Sequence, residues 1–211
     1  MSAFADAIAR VQDADRQLND ASPTPFPLPV VGLEAVVVGT VLALDSGDWW
    51  LPGLRERVGA VLRDAPLARL RDGHSGAKPY RVAPPNTSPA LRALYAVGLG
   101  LDGFAAVHLG IGSAADGAFY EALNLAALRK SHVAFVVAVH PLSGDDAPLG
   151  PQLATQPSSV AMAFGIPAVV VDGNDPEAVH AAVSTARSQE GPHLIEARLT
   201  PRSGPVGTDK E

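Results

Sequence analysis

From residue 89 onward, short apolar runs alternate with segments of helical spacing, and this alternation constrains the fold more than any other feature of the chain. The runs are FAAVHL, HVAFVVAV, AVVV and HLIEARL. None keeps a strict apolar/polar alternation, as a strand with one wet face would. Strands covered on both faces by helices carry such continuous apolar runs, and strands separated by helices pair in parallel. The fold class expected is therefore α/β, a parallel sheet sandwiched by helices. The spacing predicts helices over 89–102, 116–130, 157–164 and 175–189, strands over 104–109, 132–139, 168–171 and 193–198, and a loop over 140–156. Asp175 before Pro176 predicts an N-cap and first-turn pair. Ser113 and Asp116 stand at capping-box spacing, with Asp116 more simply a helix cap than a ligand. Gly165 and Pro167 end the helix before them.

The first half is less regular. Phe4, Ile8, Val11 and Leu18 mark a helix over 2–18, which the proline-rich connector NDASPTPFPLP breaks. GLEAVVVGTVLAL, residues 32–44, reads as a strand by its β-branched run or as an apolar helix by its length. DSGDWWLPG is a turn with a short apolar piece, LRERVGAVLRD an amphipathic helix, and 72–90 a long Gly/Pro/Asn-rich loop. One domain is expected over 1–199, with the helix and connector filling 1–30 and a flexible tail over 200–211.

Composition narrows the function. Charged residues make up 18% of the 211, the net charge is −6, and no Lys/Arg run stands out, which argues against nucleic acid. There is no Cys, so disulfides and thiolate catalysis are excluded and a cytoplasmic location is the default expectation. The N-terminus lacks the basic and apolar regions of a signal peptide. No membrane span is expected, because the longest uncharged stretch, 147–171, is broken by four prolines.

Residues 108–130, HLGIGSAADGAFYEALNLAALRK, read as a strand end, a glycine turn and a helix, an arrangement that can hold an anion on backbone N–H groups. With no third glycine in register it is a weak dinucleotide signal, and without G-x-S-x-G a hydrolase triad is unsupported. His140, Asp145 and Asp146 could form a metal site, although adjacent loop acids are more often solvated. His108 and His132 read as satisfied packing residues, and Trp49 and Trp50 as core or interface aromatics.

Four segments in order resemble the α subunit of the thiamine-diphosphate-dependent 2-oxoacid dehydrogenase E1 component. GLEAVVVGTVLALDSGDWWLPGLRERVGAVLRD is similar to that family's N-terminal pattern, DGAFYEALNLAALRKSHVAFVV to its G-x-x-x-E-A-x-N-x-A segment, and AFGIPAVVVDGNDPEAVHAAV and GPHLIEARL to its later pieces. The resemblance implies that 32–44 is helix and that the cofactor diphosphate binds at the carboxyl ends of the strands. It also implies magnesium held by a G-D-G turn and an Asn-Asn pair, and an α2β2 assembly.

Carried onto this chain, the G-D-G turn is Gly110-Ile111-Gly112 and the Asn-Asn pair is Val139-His140. Fold-determining positions persist, among them Gly117, Glu121, Asn124, Gly165, Asp172, Gly173 and Asp175, while the metal-ligand positions hold Ile111 and His140. The family's Tyr-Arg-x-His motif becomes Leu54-Arg55-Glu56-Arg57, and its later His-containing loop has no counterpart in TPRSGPVGTDKE. Residues expected at what is left of a diphosphate loop are Arg55, Gly110, Gly112 and Ser113, with Arg55 equally readable as a structural ion-pair residue. No catalytic residue is expected, no magnesium ligand, and no bound thiamine diphosphate unless the site is retained. The expectation is an E1α-like subunit acting as structural partner of a β-like chain, self-associating or both, the uncharged 147–171 and apolar 32–44 supplying partner surface. The other readings are an active decarboxylating α subunit and a free-standing binder of an anionic metabolite.

Overall fold

The apolar runs pair, all in parallel, into one five-stranded sheet of order β1-β2-β3-β5-β4. The structure is a computed structural model that describes residues 2–20, 29–71, 78–84, 88–140 and 153–200. In chain order the elements are α1 (Ala3–Asp20), α2 (Glu34–Leu42), β1 (Trp49–Leu51), a 3-10 helix (Glu56–Arg63), α3 (Leu67–Arg71), α4 (Leu91–Leu99), β2 (Ala105–Gly110), α5 (Ile111–Ala114), α6 (Gly117–Arg129), β3 (Val133–Val139), α7 (Pro157–Ala163), β4 (Ala168–Asp172), α8 (Pro176–Ser188) and β5 (His193–Arg198). Val82 adds a single parallel rung outside β1, opposite Trp50.

Right-handed crossovers decide which face each helix covers. The steps β1 to β2, β2 to β3 and β3 to β4 run in one direction across the sheet, and α4, α6 and α7 share one face. The step from β4 to β5 runs back, and α8 lies on the other face with α1, α2 and the 3-10 helix. β1 exits to the second face and β2 to the first. The carboxyl ends of β1 and β2 thus flank a point where connections diverge, the place where open α/β sheets form a crevice.

Helix α2 is apolar all round because it is enclosed: Val36, Val37, Val38, Thr40 and Val41 are all buried. Gly39 sits where it meets α8, and a Cβ there would lie 2.6 Å from the carbonyl oxygen of Pro176. The partner surface expected of 32–44 is therefore consumed within the chain's own core. Three further expectations change. The short apolar piece at 49–51 is a strand, paired to β2 from Trp49↔Ala105 to Leu51↔Val107. The amphipathic helix after it is 3-10 and ends on Asp64 in the left-handed region at φ 61°. Asp116 alone caps α6, accepting from the Ala118 amide at 2.8 Å, while Ser113 sits inside α5, so there is no capping box. Asp175 caps α8 through the amides of Glu177 and Ala178, as its pairing with Pro176 predicts. The tail beyond residue 200 and the connector at 21–28 lie outside the described residues.

His108, on the α2 face of β2, packs edge-on against Trp50 with ring centroids 5.6 Å apart. Trp50 is fully buried, in keeping with its reading as a core aromatic, and Trp49 lies under the Arg81 guanidinium at 5.2 Å. His132 stacks on Phe104 and places Nε2 3.3 Å from the Ala186 carbonyl oxygen. His108 differs from the satisfied residue expected: its Nε2 and the Trp50 indole nitrogen are buried without hydrogen-bond partners among the described residues. Burial, with a smaller push from Arg92, lowers the imidazole pKa to about 3. The folded state keeps this ring neutral while the unfolded chain protonates it below about pH 6.5. Its stability contribution is therefore complete above that pH and is lost as the pH falls toward 3. In urea melts from pH 7 to 4.5, His108→Phe should lose less stability than the wild type, by up to roughly 2 kcal/mol. Parallel curves would refute this role.

Candidate functional site

β2 outlasts β1 by three residues at the carboxyl end of the sheet, where open α/β sheets bind their ligands. The Phe104 carbonyl accepts from the Trp49 amide, while the Ala105 amide donates to the His132 carbonyl. Even-numbered residues of β2 therefore face β1, since a parallel strand sends alternate residues to alternate neighbours. The His108 carbonyl would next accept from an amide at position 53, but β1 ends at Leu51. Arg92 of α4 fills the gap: its Nη2 donates to the His108 carbonyl at 3.0 Å. The guanidinium is buried, with only 4% of the residue exposed. Burial lowers the pKa of Arg92, and the nearby carboxylate of Glu56, itself buried, opposes that shift. The two side chains converge on Gly53, where a Cβ would collide with Glu56 Oε2 and stand 3.1 Å from Arg92 Nη2. The head of the crevice thus holds a built-in cation and anion, and Gly53 leaves room for both.

Past His108, β2 ends at Gly110, which enters α5 in extended conformation (φ −87°, ψ 163°). Ile111 is the first residue of α5 and half-buried, Gly112 is exposed and Ser113 half-buried. Gly110 pairs with Ala138 of β3, so His140, just past the end of β3, follows the neighbouring strand end. The fold therefore brings the turn and His140 to adjacent strand ends. Magnesium takes hard oxygen ligands in near-octahedral geometry. An aliphatic side chain and an imidazole do not supply them, and this donor set does not fit a magnesium–diphosphate group. Asp145 and Asp146 lie outside the described residues, and among the described residues no three His, Asp or Glu side chains converge as a metal site.

Arg55 is engaged elsewhere. Its Nε donates to the Pro29 carbonyl at 2.9 Å and its Nη2 to the Val31 carbonyl at 2.7 Å. Between them the Val30 amide donates to both carboxylate oxygens of buried Asp15, each at 3.2 Å. Arg55 and Asp15 together fix residues 29–31 beside α2, and among the described residues Arg55 has no carboxylate within ion-pair distance. Burial raises the pKa of Asp15 against the lowering effect of its hydrogen bond to Val30. Farther along the sheet, the fully buried Glu196 accepts from the Ser158 amide at the start of α7 at 3.1 Å and from Arg198 Nε at 2.9 Å. Those hydrogen bonds outweigh desolvation and leave its pKa lowered.

The sequence reading missed Arg92 and Glu56. The signal for Arg92 was present: it is the one charge in LRALYAVGL, on a helix whose Ala93, Ala96 and Val97 are core. Nothing in the sequence pairs it with Glu56, because that proximity comes from where β1 stops.

The model of the dehydrogenase E1 component family matches residues 99–205. The pyruvate dehydrogenase E1 component subunit alpha of Mycoplasma pneumoniae is 31% identical to this chain, over 95% of the chain and 59% of that protein. The 2-oxoisovalerate dehydrogenase subunit alpha of Bacillus subtilis is 34% identical, over 88% of the chain and 66% of that protein. The chain thus spans about three fifths to two thirds of these relatives. An X-ray structure from Mycobacterium smegmatis, of a protein described as a thiamin diphosphate-dependent enzyme, superposes with a TM-score of 0.56. At 20% identity, covering 82% of this chain and 32% of that one, the likeness concerns the fold alone.

Arg92→Met should destabilise the protein by about 2–4 kcal/mol in urea melts, because it strands the His108 carbonyl and leaves the Glu56 carboxylate buried without its cation. Adding Glu56→Gln should recover part of the loss. A double variant as unstable as the sum of the singles would show that the two side chains do not interact.

Proposed function

This chain belongs to the dehydrogenase E1 component family, and from that membership we propose that it is an α-type subunit of a 2-oxoacid dehydrogenase complex that has given up its own magnesium–thiamine diphosphate site. Its work is to be the structural partner of a β-like chain in an α2β2-like assembly. Residues 1–199 act as one domain in this reading, with 200–211 as a tail. A cysteine-free, acidic chain suits the cytoplasm, and no helix among the described residues is long and apolar enough to cross a membrane.

The observation that carries the proposal is the side-chain chemistry at two adjacent strand ends. The turn Gly110-Ile111-Gly112 stands at the end of its strand with His140 at the next strand end, and neither the Ile111 nor the His140 side chain offers an oxygen. Divalent cations of this class bind through carboxylates, amide oxygens and water, so replacing both positions removes most of the affinity. The names of the relatives, subunits alpha of pyruvate and 2-oxoisovalerate dehydrogenases, support an assembly with a second kind of chain.

The test combines the chain with the β-type subunit encoded in the same genome, adds a panel of 2-oxoacids with thiamine diphosphate and magnesium, and follows an artificial electron acceptor. The expected result is a stable complex by light scattering and no oxoacid-dependent reduction. Turnover that depends on this chain would identify it as an active α subunit instead. Failure to form a complex would remove the partner role.

A further inference from the structure

The far edge of the sheet is open. β4 pairs with β5 alone, and the terminal bonds of that ladder fix which residues face inward. The Leu194 amide donates to the Pro167 carbonyl and the Gly173 amide to the Arg198 carbonyl. Odd-numbered residues of β4 therefore bond to β5, and the backbones of Ala168, Val170 and Asp172 face outward without a strand partner among the described residues. The side chains are exposed too, Val169 by 43% and Val170 by 44%. An edge strand of sequence AVVVD, without Lys or Pro, invites pairing.

We propose that a second copy of this chain covers this edge, its β4 running antiparallel to the first about a two-fold axis through Val170. This register is self-complementary. Val170 pairs with its own copy, and Ala168 of each strand pairs with Asp172 of the other, so all three outward-facing backbones of each strand find partners. No like charges face each other: the two Asp172 side chains end up roughly 13 Å apart along the sheet, beyond a Debye length at physiological salt. The flanking helices agree. α7 carries no charge and exposes Met162, and beside β4 a groove of about 400 Å³ is walled on the α8 side by Ala181, Ala182 and Thr185. Small uncharged side chains there let the partner's α8 approach. A chain of net charge −6 meets itself most easily through a surface where it has almost none. The inference uses no residue of the cofactor turn and stands apart from the proposed function.

Sedimentation equilibrium of the full chain at micromolar concentrations, without other proteins, tests it. The wild type should sediment as a dimer. Val170→Lys sets like charges face to face at the axis and should raise the dissociation constant about a hundredfold or more, giving a monomer. Val170→Glu should do the same, and an equimolar mixture of the two variants should restore the dimer. Because Val170 is half-exposed, both variants should keep the wild-type circular dichroism, and their urea midpoint should be independent of protein concentration, whereas that of the dimeric wild type should rise with it. A monomeric wild type, a Val170→Lys variant that remains dimeric, or a mixture that stays monomeric would each overturn the proposal.

Discussion

A parallel strand that stops early leaves its neighbour's carbonyls without donors, and the organisation of this site follows from how the chain meets that demand. β1 is three residues long beside a six-residue β2, and the first uncovered carbonyl, that of His108, takes its hydrogen bond from the guanidinium of Arg92. A buried guanidinium requires an anion nearby, and Glu56 supplies it from the 3-10 helix. Both groups require space at position 53, which only glycine leaves. The result is a strand end whose electrostatics are set by the chain's own side chains. In sheets of this topology a ligand usually occupies that place.

The same constraint shapes the region beneath. His108 is held neutral and buried under the Arg92 linkage, edge-on against Trp50. A neutral imidazole tolerates a nearby guanidinium better than a protonated one. On the other side of α2, Asp15 and Arg55 pin residues 29–31 by their backbone, so the segment leaving the proline-rich connector is fixed by polar groups rather than by packing.

How much of this could be read from the sequence depends on the range of the interaction. The strands from 104 onward and their helices were legible because burial on both faces writes itself as continuous apolar runs, and β5 matches its expected span of 193–198. β1 was not, since three residues are too short for any periodicity and its pairing is settled by Phe104 and Arg81, both distant in sequence. Asp116 and Asp175 were legible as caps because capping is local. The role of Arg55 was not, because its acceptors are backbone carbonyls 24 and 26 residues away. At the site, the loss of oxygen ligands was visible as Ile111 and His140, whereas the Arg92–Glu56 pair emerges only when strands of unequal length are laid side by side.

The central claim is that the turn after β2 no longer holds a divalent cation with a diphosphate, and the ion itself reports on it most directly. Manganese(II) substitutes for magnesium, and its free aqueous form gives a strong six-line paramagnetic resonance spectrum that collapses on binding. Added with thiamine diphosphate to an excess of this protein, manganese should keep the spectrum it shows with the diphosphate alone, and Ile111→Asp should be the variant that begins to quench it. Loss of the signal with the wild-type chain at micromolar protein, relieved by excess magnesium, would contradict the account.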